Sequence, residues 1–199
     1  MVFRRDKLAE AIGDEKAKAG HILILDDEPD NLQVLGDLLG EEYYVHKAAS
    51  GMEGLRILER EPIAMVITDQ RMPEMTGAEF LAQSIYSRPE CIKIVLTGYA
   101  DIDAIVAAIN RGRAHAFLRK PWDTRELLIA VRNGFEIWRT EERRRALGAT
   151  ARDSAARLRA ALDTIDGGLT GDALAAATRA AREIIDGLTR AAEEPPAES

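Results

Sequence analysis

Ile63-Ala64-Met65-Val66-Ile67-Thr68-Asp69-Gln70-Arg71-Met72-Pro73 places a carboxylate and then a chain breaker straight after an unbroken apolar run. A half-exposed strand alternates apolar and polar residues, whereas a run without alternation is the pattern of a strand covered on both faces, as parallel strands are. The same arrangement recurs on either side. Ile22-Leu23-Ile24-Leu25 leads into Asp26-Asp27, Ile94-Val95-Leu96 into Thr97, and Phe117-Leu118-Arg119 into Lys120. The strand candidates are therefore His21–Leu25, Tyr44–Ala48, Ile63–Thr68, Lys93–Thr97 and His115–Arg119.

Between them the period changes to that of a helix. Leu32, Leu35 and Leu39 share one face, as do Leu55 and Leu58, and Ile102, Ile105, Val106 and Ile109 follow the i, i+3, i+4, i+7 pattern. Pro29, Gly40, Gly51, Pro62, Pro73, Gly77, Pro89, Gly98, Gly112 and Pro121 punctuate the alternation. Right-handed crossovers then predict an α/β fold, a doubly wound five-stranded parallel sheet with helices on both faces. Open sheets of this kind bind ligands at the carboxyl ends of their strands. Asp26, Asp27, Asp69, Thr97 and Lys120 all fall there.

After Pro121 the character changes. Asp123 or Thr124 can cap a helix bearing Leu127, Leu128, Val131, Phe135 and Trp138, and no Pro or Gly stops it between Phe135 and Leu147. From Ala149 to Ala192 the chain is rich in Ala and Arg, and two helices separated by residues 166–171 are the simplest reading. Their stripes, Leu147/Ala151/Ser154/Leu158/Ala161/Ile165 and Leu174/Thr178/Ala181/Ile185/Leu188, bury little area alone and call for a partner helix. A two-fold homodimer pooling them in a four-helix bundle is expected, with docking of a foreign helix as the alternative. The predicted domains are a polar helix or arm over 1–19, the α/β domain over 20–139, an all-α extension over 140–192 for dimerisation or partner docking, and a disordered tail over 193–199.

The 199 residues leave room for one domain of roughly 100–150 residues and an extension. A net charge of −7 works against nucleic acid as a partner. Arg139, Arg143, Arg144, Arg145, Arg152, Arg157 and Arg159 do cluster, but Glu141, Glu142 and Asp153 sit among them, as on a solvated helix face. Cys91 is the single cysteine and reads as a buried thiol. No run nears the ~18 apolar residues of a membrane span, and Arg4-Arg5 precede no signal-like apolar region. A cytoplasmic location with no membrane partner is expected. His21, His46 and His115 fit no metal spacing and read as packing residues.

The chemistry follows from the strand-end groups. Asp26, Asp27 and Asp69 forced together repel, and a divalent cation relieves that repulsion; Mg²⁺ takes such oxygen ligands. Asp69 can then act as a nucleophile towards phosphorus. Lys120 can meet charge on the phosphoryl oxygens, and the Thr97 hydroxyl can donate to one of them.

The motifs Leu25-Asp26-Asp27-Glu28-Pro29, Asp69-Gln70-Arg71-Met72-Pro73-Glu74-Met75-Thr76-Gly77, Leu96-Thr97-Gly98-Tyr99-Ala100 and Phe117-Leu118-Arg119-Lys120-Pro121-Trp122 closely resemble the receiver domain of two-component response regulators. Their wording is most similar to receivers attached to HD-GYP phosphodiesterases and to some NtrC-like regulators. The resemblance covers His21 to Arg139. It implies Asp69 as phosphoacceptor, and Asp26, Asp27, Asp69 and the Arg71 backbone carbonyl as Mg²⁺ ligands. It implies Thr97 as switch hydroxyl, Phe117 as switch aromatic, and Lys120 as the phosphate-pairing amine before a cis bond to Pro121.

On this reading the chain is a response regulator rather than an enzyme. A histidine kinase phosphorylates Asp69, the added charge biases Thr97 and Phe117 between two positions, and the face of residues 101–113, Phe117 and the helix from Thr124 changes its affinity for itself or for a downstream protein. Self-phosphorylation from a donor and autodephosphorylation are the only reactions expected of it. Arg71 and Tyr99, both bulky, are expected to slow the attack of water on the phosphorylated state. The alternative output is nucleic-acid binding through the Arg-rich helices. A phosphatase is disfavoured because no second Asp follows Asp69 by two residues, and a built-in histidine phosphotransfer bundle because the extension has no histidine.

Overall fold

The computed structural model describes residues 18–98, 113–166 and 171–193. In chain order the elements are β1 (His21–Leu25), α1 (Pro29–Leu39), β2 (Tyr44–Ala48), α2 (Gly51–Arg60), β3 (Ile63–Asp69), α3 (Gly77–Ser87), β4 (Ile92–Thr97), β5 (Ala116–Arg119), α4 (Thr124–Asp166) and α5 (Asp172–Glu193). All strand pairs are parallel, in the order β2-β1-β3-β4-β5. This is the predicted doubly wound sheet, with the predicted helical region after it.

Alternate residues of one strand feed two cores. Ile22 and Ile24 pack with Leu35 and Leu39 of α1 and with Leu127, Val131 and Phe135 of α4. Leu23 and Leu25 pack with Leu58 of α2 and Phe80 and Leu81 of α3. The four apolar side chains of β1, Ile22 to Leu25, are fully buried, which explains the absence of alternation; each contributes about 1.5–3 kcal/mol by leaving water. Edge strand β2 departs from that pattern, since only Ala48 in it is buried. Gly134 lets α4 lie close to the sheet, because a Cβ there would come within 2.6 Å of Met65 Cε. β3 runs one residue further than predicted, through Asp69, which puts the carboxylate on the last ladder position.

Asp123 is the cap of α4, its Oδ1 accepting from the Arg125 and Glu126 amides at 2.9 and 3.0 Å. The chain divides into two compact units at Trp138/Arg139. Within the second unit the larger side chains of the first predicted stripe stay in water in the single chain. Leu147 is 72% and Leu158 49% exposed, Ser154 is also exposed, and the buried position is Ala155. The small residue Ala155 is the one turned inward within the chain, which leaves the leucines for a partner, as the stripe requires. In α5, Thr178 and Ile185 are buried as expected. An Arg159–Asp186 ion pair links the two helices. α5 includes Glu193, the residue at which a tail was expected to begin. Residues 1–17 of the expected arm over 1–19, the periodic helix over residues 102–109, Tyr99 and residues 194–199 lie outside the described residues.

Candidate functional site

Ladder register decides which side chains meet. Leu25 pairs with Thr68, Asp69 with Leu96, and Thr97 with Arg119. Asp26 is thus level with Asp69, while Thr97 and Lys120 stand one and two positions further along the edge. Backbone bonds carry this order past the strand ends: the amides of Asp26, Gln70 and Lys120 donate to the carbonyls of Ala48 (3.2 Å), Leu96 (2.9 Å) and Thr97 (2.8 Å).

Asp26 is completely buried. Its Oδ1 accepts from the Glu28 amide at 2.9 Å, and its Oδ2 from Asn31 Nδ2 at 3.0 Å and Lys120 Nζ at 2.8 Å. Asp69 is 6% exposed. Its Oδ1 lies 2.7 Å from Lys120 Nζ and its Oδ2 accepts from the Arg71 amide at 3.0 Å. One amine therefore bridges two carboxylates. Asp27 is exposed, yet ligand oxygens of Asp26, Asp27 and Asp69 all lie within 4.8 Å of one another.

The loop after β3 is pinned. The Gly77 amide donates to the Gln70 carbonyl at 3.1 Å and the Ala78 amide to Gln70 Oε1 at 3.2 Å. Thr76 and Glu79 form a reciprocal cap at the start of α3. Only glycine fits at 77, since a Cβ there would lie 2.3 Å from the Asp69 carbonyl oxygen.

Thr97 is buried, but its Oγ1 donates to the Gly98 carbonyl at 3.3 Å, not to Asp69. Phe117 is half-buried against the core containing Leu23, Phe80 and Val95. The Arg71 residue is exposed, and Lys120-Pro121 is cis. Asn31 and Gln70 were not singled out in the sequence. Their roles depend on how α1 and α3 start against the sheet, which no spacing reveals.

Burial raises the Asp69 pKa, and the negative charge of Asp26 adds to the effect; the hydrogen bond and charge of Lys120 and the Arg71 amide offset only part of it. Burial works against the charge on Lys120, but its bonds and attraction to Asp26 and Asp69 win, and its pKa is raised. The three carboxylates suit a hard divalent cation, while one amine cannot neutralise them all. Chemically, the edge places two buried carboxylates against one fixed amine.

A model of the response regulator receiver domain matches residues 22–132. The hydrogenase transcriptional regulatory protein HoxA of Cupriavidus necator is 35% identical over 119 residues, 60% of this chain and 25% of HoxA. The transcriptional regulatory protein GlrR of Escherichia coli K12 is 41% identical over 120 residues, 60% of this chain and 27% of GlrR. The chain thus spans about a quarter of the length of these relatives. The crystal structure of the signal receiver domain of an HD domain-containing protein from Pseudomonas fluorescens Pf-5 aligns with a TM-score of 0.59 and 34% identity, covering 61% of this chain and 98% of that one.

Proposed function

Since the chain belongs to the response regulator receiver domain family, we propose that Asp69 accepts a phosphoryl group from a histidine kinase and that the helical second unit carries the output. The observation behind this reading is the Lys120 amine bridging buried Asp26 and Asp69 at the carboxyl edge of the sheet. An Asp69 carboxylate oxygen attacks phosphorus, the bond from phosphorus to the donor's imidazole nitrogen breaks, and the imidazole leaves with a proton from water. Lys120 keeps its proton and its charge, and meets the phosphoryl oxygens in place of the Asp69 carboxylate. The Arg71 amide holds the second Asp69 oxygen and so fixes the carboxylate plane.

Asp26, Asp27 and Asp69 would hold Mg²⁺, together with the Arg71 carbonyl. When bound, the ion supplies charge neutralisation for the carboxylates and the incoming phosphoryl oxygens. Thr97 must turn its hydroxyl from the Gly98 carbonyl to reach a phosphoryl oxygen, and that turn, with half-buried Phe117 beside it, is the switch in this reading. Arg71 at the rim limits access of water to the phosphorylated state.

Among the described residues, two exposed surfaces are available for output. A groove of about 340 Å³ between β5 and α4 is lined by Phe117, Ile129 and Ile137 among others, with Ile129 and Ile137 about half exposed. In the second unit Leu147, Leu158 and Ile184 remain in water. Pairing two copies through that unit covers them. Nucleic acid fits less well, although HoxA and GlrR are named as transcriptional regulators. Arg144, Arg145 and Arg157 pair with Glu141, Glu142 and Asp153 at 2.8–2.9 Å. Salt-dependent binding to random duplex would reverse that preference.

Intact mass after incubation with a small acyl phosphate and Mg²⁺ tests the reading. One phosphoryl group is expected on the native chain and none on Asp69→Asn. An Asp69→Asn chain phosphorylated at the same rate would sink the assignment.

A further inference from the structure

At the opposite end of β1 from Asp26, two imidazoles and a carboxylate converge from three separate elements. His21 opens β1, His46 lies in β2, and Glu61 caps the end of α2 before β3. His21 Nδ1 and His46 Nε2 lie 3.0 Å apart. The ring centroids are 5.2 Å apart with planes inclined by 22°. The centroid distance exceeds the nitrogen distance by two ring radii, so the rings meet edge to edge with their nitrogens facing. One ligand atom each from His21, His46 and Glu61 falls within 4.8 Å of the others.

We propose that His21, His46 and Glu61 form a binding site for a borderline transition cation, of which Zn²⁺ is the representative, separate from the acidic cluster at Asp69. Imidazole nitrogen with one carboxylate is a donor set that Zn²⁺, Co²⁺ and Ni²⁺ accept, unlike the all-oxygen set at the other edge. Bonds of 2.0–2.1 Å set the separation of tetrahedral ligands at about 3.3 Å. The facing nitrogens need open by only a few tenths of an ångström. Two facing ring nitrogens with one proton between them form a geometry that a metal can take over; the donating ring moves its hydrogen to its other nitrogen, and no proton is lost.

The backbone that carries these ligands is held in place. Tyr44 pairs with His21 across the ladder, and Leu23 with His46. The Glu61 carbonyl accepts from the Ile63 amide at 2.8 Å and from Arg88 Nη2 at 2.9 Å, and the Arg88 Nε bonds the Leu58 carbonyl at 3.2 Å. Tyr44 covers one side of His21, with ring centroids 4.9 Å apart, and Lys18 Nζ lies 5.2 Å from the centre of the Tyr44 ring. Three protein ligands leave a fourth position for water. The bound ion would clip edge strand β2 and the α2–β3 turn to β1. Five residues of strand, about 16 Å, separate this site from Asp26, so the two sites can fill together.

The test is calorimetric titration of the full chain with Zn²⁺ in excess Mg²⁺, which occupies the acidic cluster. One equivalent of Zn²⁺ per chain is expected, unchanged in Asp69→Asn. His21→Gln and His46→Gln should each weaken it at least about 100-fold, the upper end of what losing an outer-shell partner costs. Co²⁺ should give the strong visible absorption of a tetrahedral site, weakened in Glu61→Gln. Far-UV circular dichroism and Mg²⁺-dependent phosphorylation of the His variants show whether they are folded. No saturable Zn²⁺ binding, binding that survives His21→Gln/His46→Gln, or a weak six-coordinate Co²⁺ spectrum would each overturn the site.

Discussion

Lys120 Nζ lies 2.7 Å from Asp69 Oδ1, although β4 stands between the strands that carry them. Two strand spacings amount to about 9.6 Å, too far for a short side chain. The four-carbon stem of lysine and the Asp69 side chain close this distance together, and the same amine reaches Asp26 on the strand beyond. Removing the amine leaves a fully buried carboxylate beside a nearly buried one.

Lys120→Met is therefore expected to destabilise the metal-free protein by about 3 kcal/mol. This is the lower end for breaking a buried pair, because the Lys120 side chain is 21% exposed. Urea midpoints with and without Mg²⁺ check it. Mg²⁺ should restore most of the loss, since it supplies the missing positive charge.

Stability should depend on pH through Asp69. Its folded pKa is raised above 3.8, so the folded state holds this proton more tightly. The associated stability is fully present below 3.8 and is lost as pH rises through the folded value. Asp69→Asn should remove that slope and raise the metal-free midpoint at neutral pH. Lys120, raised above 10.5, contributes in the same direction, its stability being lost at alkaline pH. Urea unfolding across pH, native against Asp69→Asn, measures both effects; a steeper slope in the variant would contradict them.

Gly77→Ala would drive a Cβ into the Asp69 carbonyl oxygen. A cost of about 1–3 kcal/mol is expected from overpacking. Phosphorylation from the acyl phosphate should also slow, because the displaced backbone carries the Asp69 carboxylate. Parallel denaturation and mass time courses separate the two effects.

Phe135 is 1% exposed and stacks on Tyr43 with ring centroids 4.7 Å apart. Phe135→Ala should cost about 3–5 kcal/mol, measured by chemical denaturation.

Leu147→Glu/Leu158→Glu replaces side chains that the single chain leaves in water. If two copies pair through this unit, light scattering should report a dimer for the native chain and a monomer for the variant, with unchanged circular dichroism. Monomers for both would assign these leucines to a foreign partner.

The sequence alone specified the sheet, its strands to within a residue or two, the carboxyl-edge residues and the long helix. Continuous apolar runs and chain breakers are local signals, and a carboxylate after a buried strand is in position wherever that strand lies. Strand order and register were decided only in the tertiary structure. They make Asp26 level with Asp69 and bring Lys120 to both. The same holds at the other end of the sheet. The spacing of His21, His46 and Glu61 resembles no metal motif, because the ligands come from three elements that meet only when parallel pairing sets β1 between β2 and β3. In the helical unit, periodicity located the helices but not the inward face. Ala155 is buried and Leu147 is not, since a narrow stripe of mixed sizes does not fix a helix's rotation, and only packing chooses it.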